Sequence, residues 1–178
     1  VAGPIERSSN LIHQISERHY FDLHRVARGL CLMLWGFFQK LVIADRLNAC
    51  IECVFSDHSQ YQGGIIAIAA VCYTIQLYMD FSGAMDAVTG TAQIFGVTMP
   101  ENFRQPFFSK TVSEFWTRWH ISLGAWFKDY IFYPVTMSKP VNRLSGAARK
   151  RVGKYYGTLA GACIAFFCVW SCNGLWHG

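Results

Sequence analysis

Three long apolar runs are the feature that most constrains how this chain can fold. They fall within residues 25–47, 64–81 and 155–176. An α-helix needs about 20 mostly apolar residues to cross the hydrocarbon core of a bilayer. Because unpaired backbone groups are costly in lipid, spanning segments of this kind must be helical. The sequence therefore predicts an all-α polytopic membrane protein with about three transmembrane helices plus amphipathic and re-entrant helices.

The composition supports a membrane protein and argues against a disordered chain. Hydrophobic residues make up 52% of the sequence and charged residues 15%, against roughly 25% charged in an average soluble domain. The chain starts without Met, shows no signal-peptide pattern and stops one residue after His177. We therefore expect residues 1–178 to be an internal fragment of a single membrane domain, truncated at both ends.

The positive charge is concentrated in one segment that has no acidic residue. Its basic side chains are Lys139, Arg143, Arg149, Lys150, Arg151 and Lys154. Basic residues beside a spanning helix usually mark the cytoplasmic side of the membrane. We interpret the segment as a cytoplasmic loop in preference to a nucleic-acid patch.

A capping box precedes an aromatic segment in the middle of the chain. Thr111 stands at the N-cap position and Glu114 at N3. From there the spacing predicts one strongly amphipathic helix that runs to Tyr133, because Pro134 would end it. His120 falls at the border of the aromatic face, where a side chain can meet both water and a dry cavity.

The last apolar run ends in a polar, thin segment, Ser171–Gly174, followed by Leu175, Trp176 and His177. Irregular backbone at membrane depth is tolerated only where it lines a cavity. We therefore expect this end to be irregular and to face a cavity rather than lipid, with His177 buried within the membrane or reached from its outer side. An intramembrane histidine is a functional candidate by default.

The second apolar run also becomes polar towards its end, around Asp80. This pattern is typical of a helix that starts against lipid and ends against a polar cavity. Asp80 either pairs with a basic residue such as Arg104 or Arg118, or acts directly on a substrate. Lys40, in the first run, either snorkels to the interface or faces a protein interior.

The chemistry available to the chain is mainly that of histidine. The sequence has no nucleotide-binding loop, no serine-hydrolase elbow and no zinc-protease motif. A single Cys50–Cys53 pair without a partner pair predicts no metal site, and no motif for a bound cofactor is visible. A neutral imidazole within reach of an alcohol can take its proton as the oxygen attacks an acyl donor. A nearby amide such as Asn173 could orient the ring or stabilise charge on the intermediate.

Several short motifs in order along the chain resemble the membrane-bound O-acyltransferase family, in particular its bacterial branch of alginate O-acetyltransferases and teichoic acid D-alanyl transferases. The motifs are Ala2–Ile5, Ile43–Leu47, Gln76–Gly83, Glu101–Phe103, Glu114–Leu123, Trp126–Tyr130 and Gly174–Gly178. The resemblance implies a multi-helix membrane fold with a buried passage that joins the two sides. It also implies a principal catalytic role for His177 and a second role for His120 on the donor side.

This resemblance predicts an enzyme of the inner (cytoplasmic) membrane that acetylates an exported or cell-surface polysaccharide, as in alginate biosynthesis. Its donor would be a cytoplasmic acyl thioester, acetyl-CoA or an acyl carrier, used as a substrate and not as a bound cofactor. Its partners would be membrane lipid, the polymer acceptor and either an extracytoplasmic acetyltransferase or a cytoplasmic carrier protein. The residues expected to wall the passage and bind substrate are Trp116, Trp119, Asn173, Trp176 and Asp80.

Two further classes of function remain open from the residues. Within the family, the alternative is D-alanyl transfer to teichoic acid from a carrier protein. Outside it, a non-catalytic, proton-linked transporter or channel component would use the histidines as a proton relay. A structural membrane scaffold is a weaker third reading.

Overall fold

The structure is a computed structural model that describes residues 3–177 of the chain. These residues fold into helices joined by short loops. They form two compact units, which meet in the sequence between Ser109 and Lys110. Each unit has its own helix packing and is described by itself.

Unit 1 begins with a short surface helix and continues into two long helices. The chain enters the first long helix at Asp22, whose carboxylate accepts hydrogen bonds from the amides of His24 and Arg25 at 2.9 and 3.3 Å. Such a cap satisfies amides that have no partner within the helix. The elements of unit 1 are α1 (Ser8–Ser16), α2 (Leu23–Phe37), a π-helical segment (Phe38–Ala44), α3 (Asp45–Ser56) and α4 (Gly63–Ile94).

Three helices among the described residues are long and apolar enough to cross a membrane, as the sequence predicted. They are Leu23–Ser56, Gly63–Ile94 and Lys154–His177. The first combines α2, the π-helical segment and α3 without interruption. Both helices of unit 1 are longer than the apolar runs that predicted them, because the polar residues at their ends continue the helix.

Glycines set the close approach of α2 to α4. A methyl group added to Gly29 would come within 2.7 Å of the Gly90 carbonyl oxygen, and one added to Gly90 within 2.5 Å of that of Gly29. Gly36 and Gly83 are related in the same reciprocal way. Each helix therefore carries two glycines seven residues apart on the face that meets its antiparallel neighbour. Small residues at such positions let helix backbones pack closely in lipid.

Unit 2 is a series of shorter helices that ends in the third candidate span. Its elements are α5 (Val112–Arg118), α6 (Ile121–Phe127), a π-helical segment (Lys128–Phe132), α7 (Tyr133–Met137), α8 (Lys139–Val152) and α9 (Lys154–His177). The capping box is confirmed, since Thr111 Oγ1 accepts from the Glu114 amide at 3.0 Å. The Glu114 carboxylate in turn accepts from the Lys110 amide at 2.8 Å.

Three predictions for this region were wrong. The single helix from Thr111 to Tyr133 is broken at His120, and Pro134 stands in the first turn of α7, where a missing amide costs nothing. The basic segment is helix α8 and not a loop. The last apolar run is regular helix as far as His177, without the irregular backbone expected at its end, because polar side chains leave the backbone hydrogen bonds of a helix intact.

We expect Gly36→Ala to loosen the pairing of α2 and α4. The added methyl group would meet backbone atoms of Gly83 and Ala87, which cannot move aside without shifting a helix. Overpacking of this kind costs about 1–3 kcal/mol. The measurement is the thermal transition of the full-length protein in detergent. Gly64→Ala on α4 is the matched control, because nothing lies within 4 Å of a methyl group there; equal transitions for both variants would contradict the packing.

Candidate active site

The break between α5 and α6 places His120 in an unusual backbone conformation. Trp119 is extended, and His120 follows with φ +44° and ψ +55°, in the left-handed region. This region is uncommon for residues other than glycine, although histidine is enriched there. The His120 carbonyl then accepts from the Gly124 amide at 3.0 Å and starts α6. Strained residues of this kind cluster at active sites and ligand clamps.

The side chain of His120 is buried, contrary to the border position that the helical spacing predicted. It is 9% exposed, and the adjoining Ser122 and Leu123 are 6% exposed each. Burial, followed by the charge of His177, lowers the pKa of His120 from 6.5 to about 4. The imidazole is therefore neutral near pH 7. The effect of His177 also places the two histidines within electrostatic range of each other.

One face of α9 is turned towards the α5–α7 segment and ends at His177. Phe166 packs against Phe132 with ring centroids 4.9 Å apart. Trp170 packs edge-on against Trp116 at 5.3 Å. At 100° per residue, Asn173 and His177 lie on the same face as these two rings. We call Phe166, Trp170, Asn173 and His177 the α9 stripe.

Trp170 was missed by the sequence analysis, although it fixes the stripe against α5. The only indication of this role in the sequence was that Trp170 precedes Asn173 by three residues and His177 by seven. Within an apolar run that spacing is the same as for a lipid-facing aromatic residue. The contact with Trp116 is what distinguishes the two cases.

The predicted tryptophans have different surroundings. Trp116 contacts Trp170 and is 48% exposed. Trp119 is stacked on Phe115 at 5.6 Å. Trp176 is 54% exposed and lies about 100° away from His177 around α9. In the described chain Asn173 is partly exposed and His177 is exposed.

Asp80 lies in unit 1 and has a partner that the sequence analysis did not assign to it. Its carboxylate accepts from Lys40 Nζ at 2.5 Å, and the same ammonium lies 3.5 Å from Asp45. The predicted partners bind elsewhere: Arg104 pairs with Glu101 and Arg118 with Glu114. Lys40 therefore pairs with α4, while 44% of its side chain stays exposed, so both alternatives for its position stay open.

The π-helical segment holds a second polar group beside this pair. Gln39, which is 4% exposed, donates to Asp86 Oδ2 at 2.8 Å and accepts from the Ser82 hydroxyl at 2.5 Å. A cavity of about 390 Å³ opens next to these residues, with Tyr78 and Asn102 also in its wall. π-helical turns occur often at functional sites. The role of Gln39 was not predicted, because it read only as an interruption of an apolar run.

The sequence profile of the membrane-bound O-acyltransferase family (MBOAT) matches residues 1–147. The chain therefore belongs to the membrane-bound O-acyltransferase family.

Its relatives within the family carry several names. A probable alginate O-acetylase, AlgI, of Pseudomonas putida is 34% identical over 178 residues, which are 100% of this chain and 33% of that protein. A peptidoglycan O-acetyltransferase of Helicobacter pylori is 29% identical over 180 residues, 100% of this chain and 31% of that protein. A teichoic acid D-alanyltransferase of Bacillus subtilis is 28% identical over 183 residues, 99% of this chain and 43% of that protein. The chain thus spans about a third of the length of the O-acetylase relatives.

We expect the burial of His120 to make the protein less stable as the pH falls. Between pH 6.5 and about 4, His120 binds a proton in the unfolded chain but not in the folded protein. Stability that is complete above pH 6.5 is therefore lost progressively down to pH 4, by on the order of 3 kcal/mol at most. His120→Gln should flatten this part of a plot of thermal transition against pH, and His24→Gln, an exposed control, should not. Parallel curves for wild type and His120→Gln would contradict a neutral buried imidazole.

We expect the charge of Asp80 to affect the stability of the protein through its ion pair with Lys40. Lys40→Met alone leaves a carboxylate without its cation in an apolar span and should lower the thermal transition by several degrees. Adding Asp80→Leu should restore most of the loss, because both charges are then gone. The measurements are the thermal transition and acyl transfer by the full-length protein. A stable double variant without transfer activity would instead assign Asp80 to substrate binding.

Proposed function

We propose that the chain is the histidine-bearing part of an O-acyltransferase that spans the cytoplasmic (inner) membrane several times. It would move an acyl group, most simply acetyl, from a cytoplasmic thioester to a hydroxyl on the other side. The observation that carries the proposal is the contact of Trp170 with Trp116 at 5.3 Å, which brings the α9 stripe that ends at His177 against the helix that precedes His120. The two histidines belong to two motifs far apart in sequence, yet within unit 2 they lie near each other.

In the proposed reaction His177 is the general base. One of its ring nitrogens takes the proton of the acceptor hydroxyl as the oxygen attacks the thioester carbonyl. The tetrahedral intermediate then collapses, the C–S bond breaks and the C–O ester bond remains. The proton held by His177 passes to the departing thiolate, so the imidazole returns to its neutral form. The Asn173 amide, one turn before His177 on the α9 stripe, would orient the ring or donate to the oxyanion.

His120 would have a different role from His177. With a pKa of about 4 it is a neutral imidazole and not an imidazolium near neutral pH. A neutral imidazole has one ring N–H to donate and one ring nitrogen to accept. We therefore assign His120 to positioning the donor or stabilising the oxyanion, with Trp116 and Trp119 walling the passage and Trp176 at its end.

The acceptor we favour is a hydroxyl of an extracytoplasmic polysaccharide. Relatives over the whole chain are named for acetylation of alginate and of peptidoglycan, and both polymers offer sugar hydroxyls. Acetyl-CoA or an acylated carrier protein would supply the thioester. A further extracytoplasmic acetyltransferase is the partner expected if the acetyl group reaches the polymer in two steps.

D-alanyl transfer is the second candidate, because a relative in Bacillus subtilis carries that name at 28% identity. The chemistry at the thioester carbonyl would be the same. The donor would be a D-alanyl carrier protein, and the acceptor a teichoic acid.

The test compares wild type with His177→Ala in the full-length protein. The protein is reconstituted in nanodiscs and incubated with radiolabelled acetyl-CoA and an alginate acceptor, with and without the candidate partner protein. We expect His177→Ala to lower transfer by at least about 10²-fold, the contribution of a general base. His58→Ala, an exposed histidine of unit 1, is the matched control and should keep full activity.

Three outcomes would change the proposal. Full transfer by a folded His177→Ala protein would exclude this residue as the base. Transfer from a D-alanyl carrier protein but not from acetyl-CoA would select the second candidate. Proton-coupled flux through the wild type without any acyl transfer would replace the enzyme with a transporter.

A further inference from the structure

Helix α8 has a contact face made of small and apolar side chains. Val141 and Ser145 are each 6% exposed. A methyl group added to Gly161 would come 2.5 Å from Ser145 Oγ, and one added to Gly157 would come 2.6 Å from the Arg149 backbone nitrogen. α8 therefore lies directly against the first turns of α9 and runs antiparallel to it. The turn between them is made by Gly153 at φ +92°.

The charged residues on the opposite face of α8 are all basic. At 100° per residue, Lys139, Arg143 and Lys150 lie within about 40° of one another and roughly 180° from the contact face. All three are exposed, and none forms an ion pair within residues 3–177. We call them the basic stripe. It is about 17 Å long at 1.5 Å per residue, and Asp129 is the last acidic residue before it.

The packing of α8 limits how deep the start of α9 can lie in the membrane. Charged side chains are too costly in hydrocarbon for α8 to lie beside the lipid tails. The α9 segment that packs against α8, which includes Gly157 and Gly161, must therefore lie outside the hydrocarbon core, at the interface where α9 begins. Tyr155 and Tyr156, which are 73% and 59% exposed, fit the aromatic belt of this interface.

We propose that the basic stripe binds the phosphate groups of anionic phospholipids in the leaflet where α9 begins. The stripe has the complementary charge and belongs to a helix that packs against the start of a candidate membrane span. Leu144, beside Arg143 and 58% exposed, is placed to reach the boundary of the acyl chains, as in interfacial helices. Bound lipid would hold the α8–α9 hairpin at a defined depth. Because the α9 stripe lies on the same helix, its depth would be fixed as well. This inference rests on the membrane placement of α9 and not on acyl transfer.

The test measures which lipids the full-length protein retains. Wild type and the triple variant Lys139→Gln, Arg143→Gln, Lys150→Gln are reconstituted in nanodiscs of equal phosphatidylcholine and phosphatidylglycerol, then extracted, and the bound lipid is quantified by mass spectrometry. We expect wild type to enrich phosphatidylglycerol, and the variant to lose that enrichment by about tenfold. The matched control removes the same charge from exposed positions of unit 1, Arg18, Arg28 and Arg46, and should keep the enrichment.

A charge-preserving variant, Lys139→Arg with Lys150→Arg, shows whether a loss of lipid retention is due to the lost charge or to a disturbed fold. It should retain phosphatidylglycerol as wild type does. Unchanged enrichment in the glutamine variant would overturn the proposal. If that variant also showed a several-fold rise in the KM for the thioester donor, the stripe would be assigned to the phosphates of that donor instead. Lipid retention is measured without turnover, so an inactive protein would still report on this inference.

Discussion

Close approach of helix backbones at glycine is the interaction on which both units depend. In a bilayer the lipid tails are as apolar as the side chains, so helices gain little from hydrophobic burial and associate through close packing. Unit 1 meets this constraint with two reciprocal glycine pairs, Gly29 with Gly90 and Gly36 with Gly83. Unit 2 meets it with Gly157 and Gly161, which admit the backbone of Arg149 and the side chain of Ser145. In each unit a larger side chain would move a whole helix.

The polar contacts of unit 1 follow from this close approach. Gln39 lies one turn after Gly36, and a methyl group on Gly83 would reach its Cβ at 3.1 Å. The glycine contact therefore brings Gln39 within hydrogen-bonding distance of both Ser82 and Asp86. Lys40, the next residue, reaches Asp80 in the same layer. Charged and amide groups can stay in an apolar span here because each one has a partner on the facing helix.

The two histidines of unit 2 are distinguished by their backbones and their surroundings. His120 lies in a left-handed helix break and is buried and neutral, whereas His177 ends a regular helix and is exposed in the described chain. A buried imidazole with a low pKa suits hydrogen bonding at a fixed place. An accessible one suits proton transfer to and from a substrate. The division of labour proposed for the reaction follows this difference.

The sequence by itself determined the properties that depend on local pattern. Apolar runs of sufficient length specified three spanning helices, and the Thr111–Glu114 box specified a helix start. The two histidine motifs specified the family and the candidate residues before any contact was known. These features need only neighbours within a few residues, or the solvent properties of the bilayer, so they can be read from one chain.

Only the tertiary structure decided which residues meet. Helical spacing predicted an unbroken helix through His120, and only the structure shows the left-handed break there. Asp80 forms an ion pair with Lys40, forty residues away, and Trp170 packs against Trp116. Both contacts depend on which helix faces are brought together. The basic segment is a helix that packs against Gly157 and Gly161 of α9. Periodicity describes the faces of one helix, whereas the choice of partner belongs to contacts between helices.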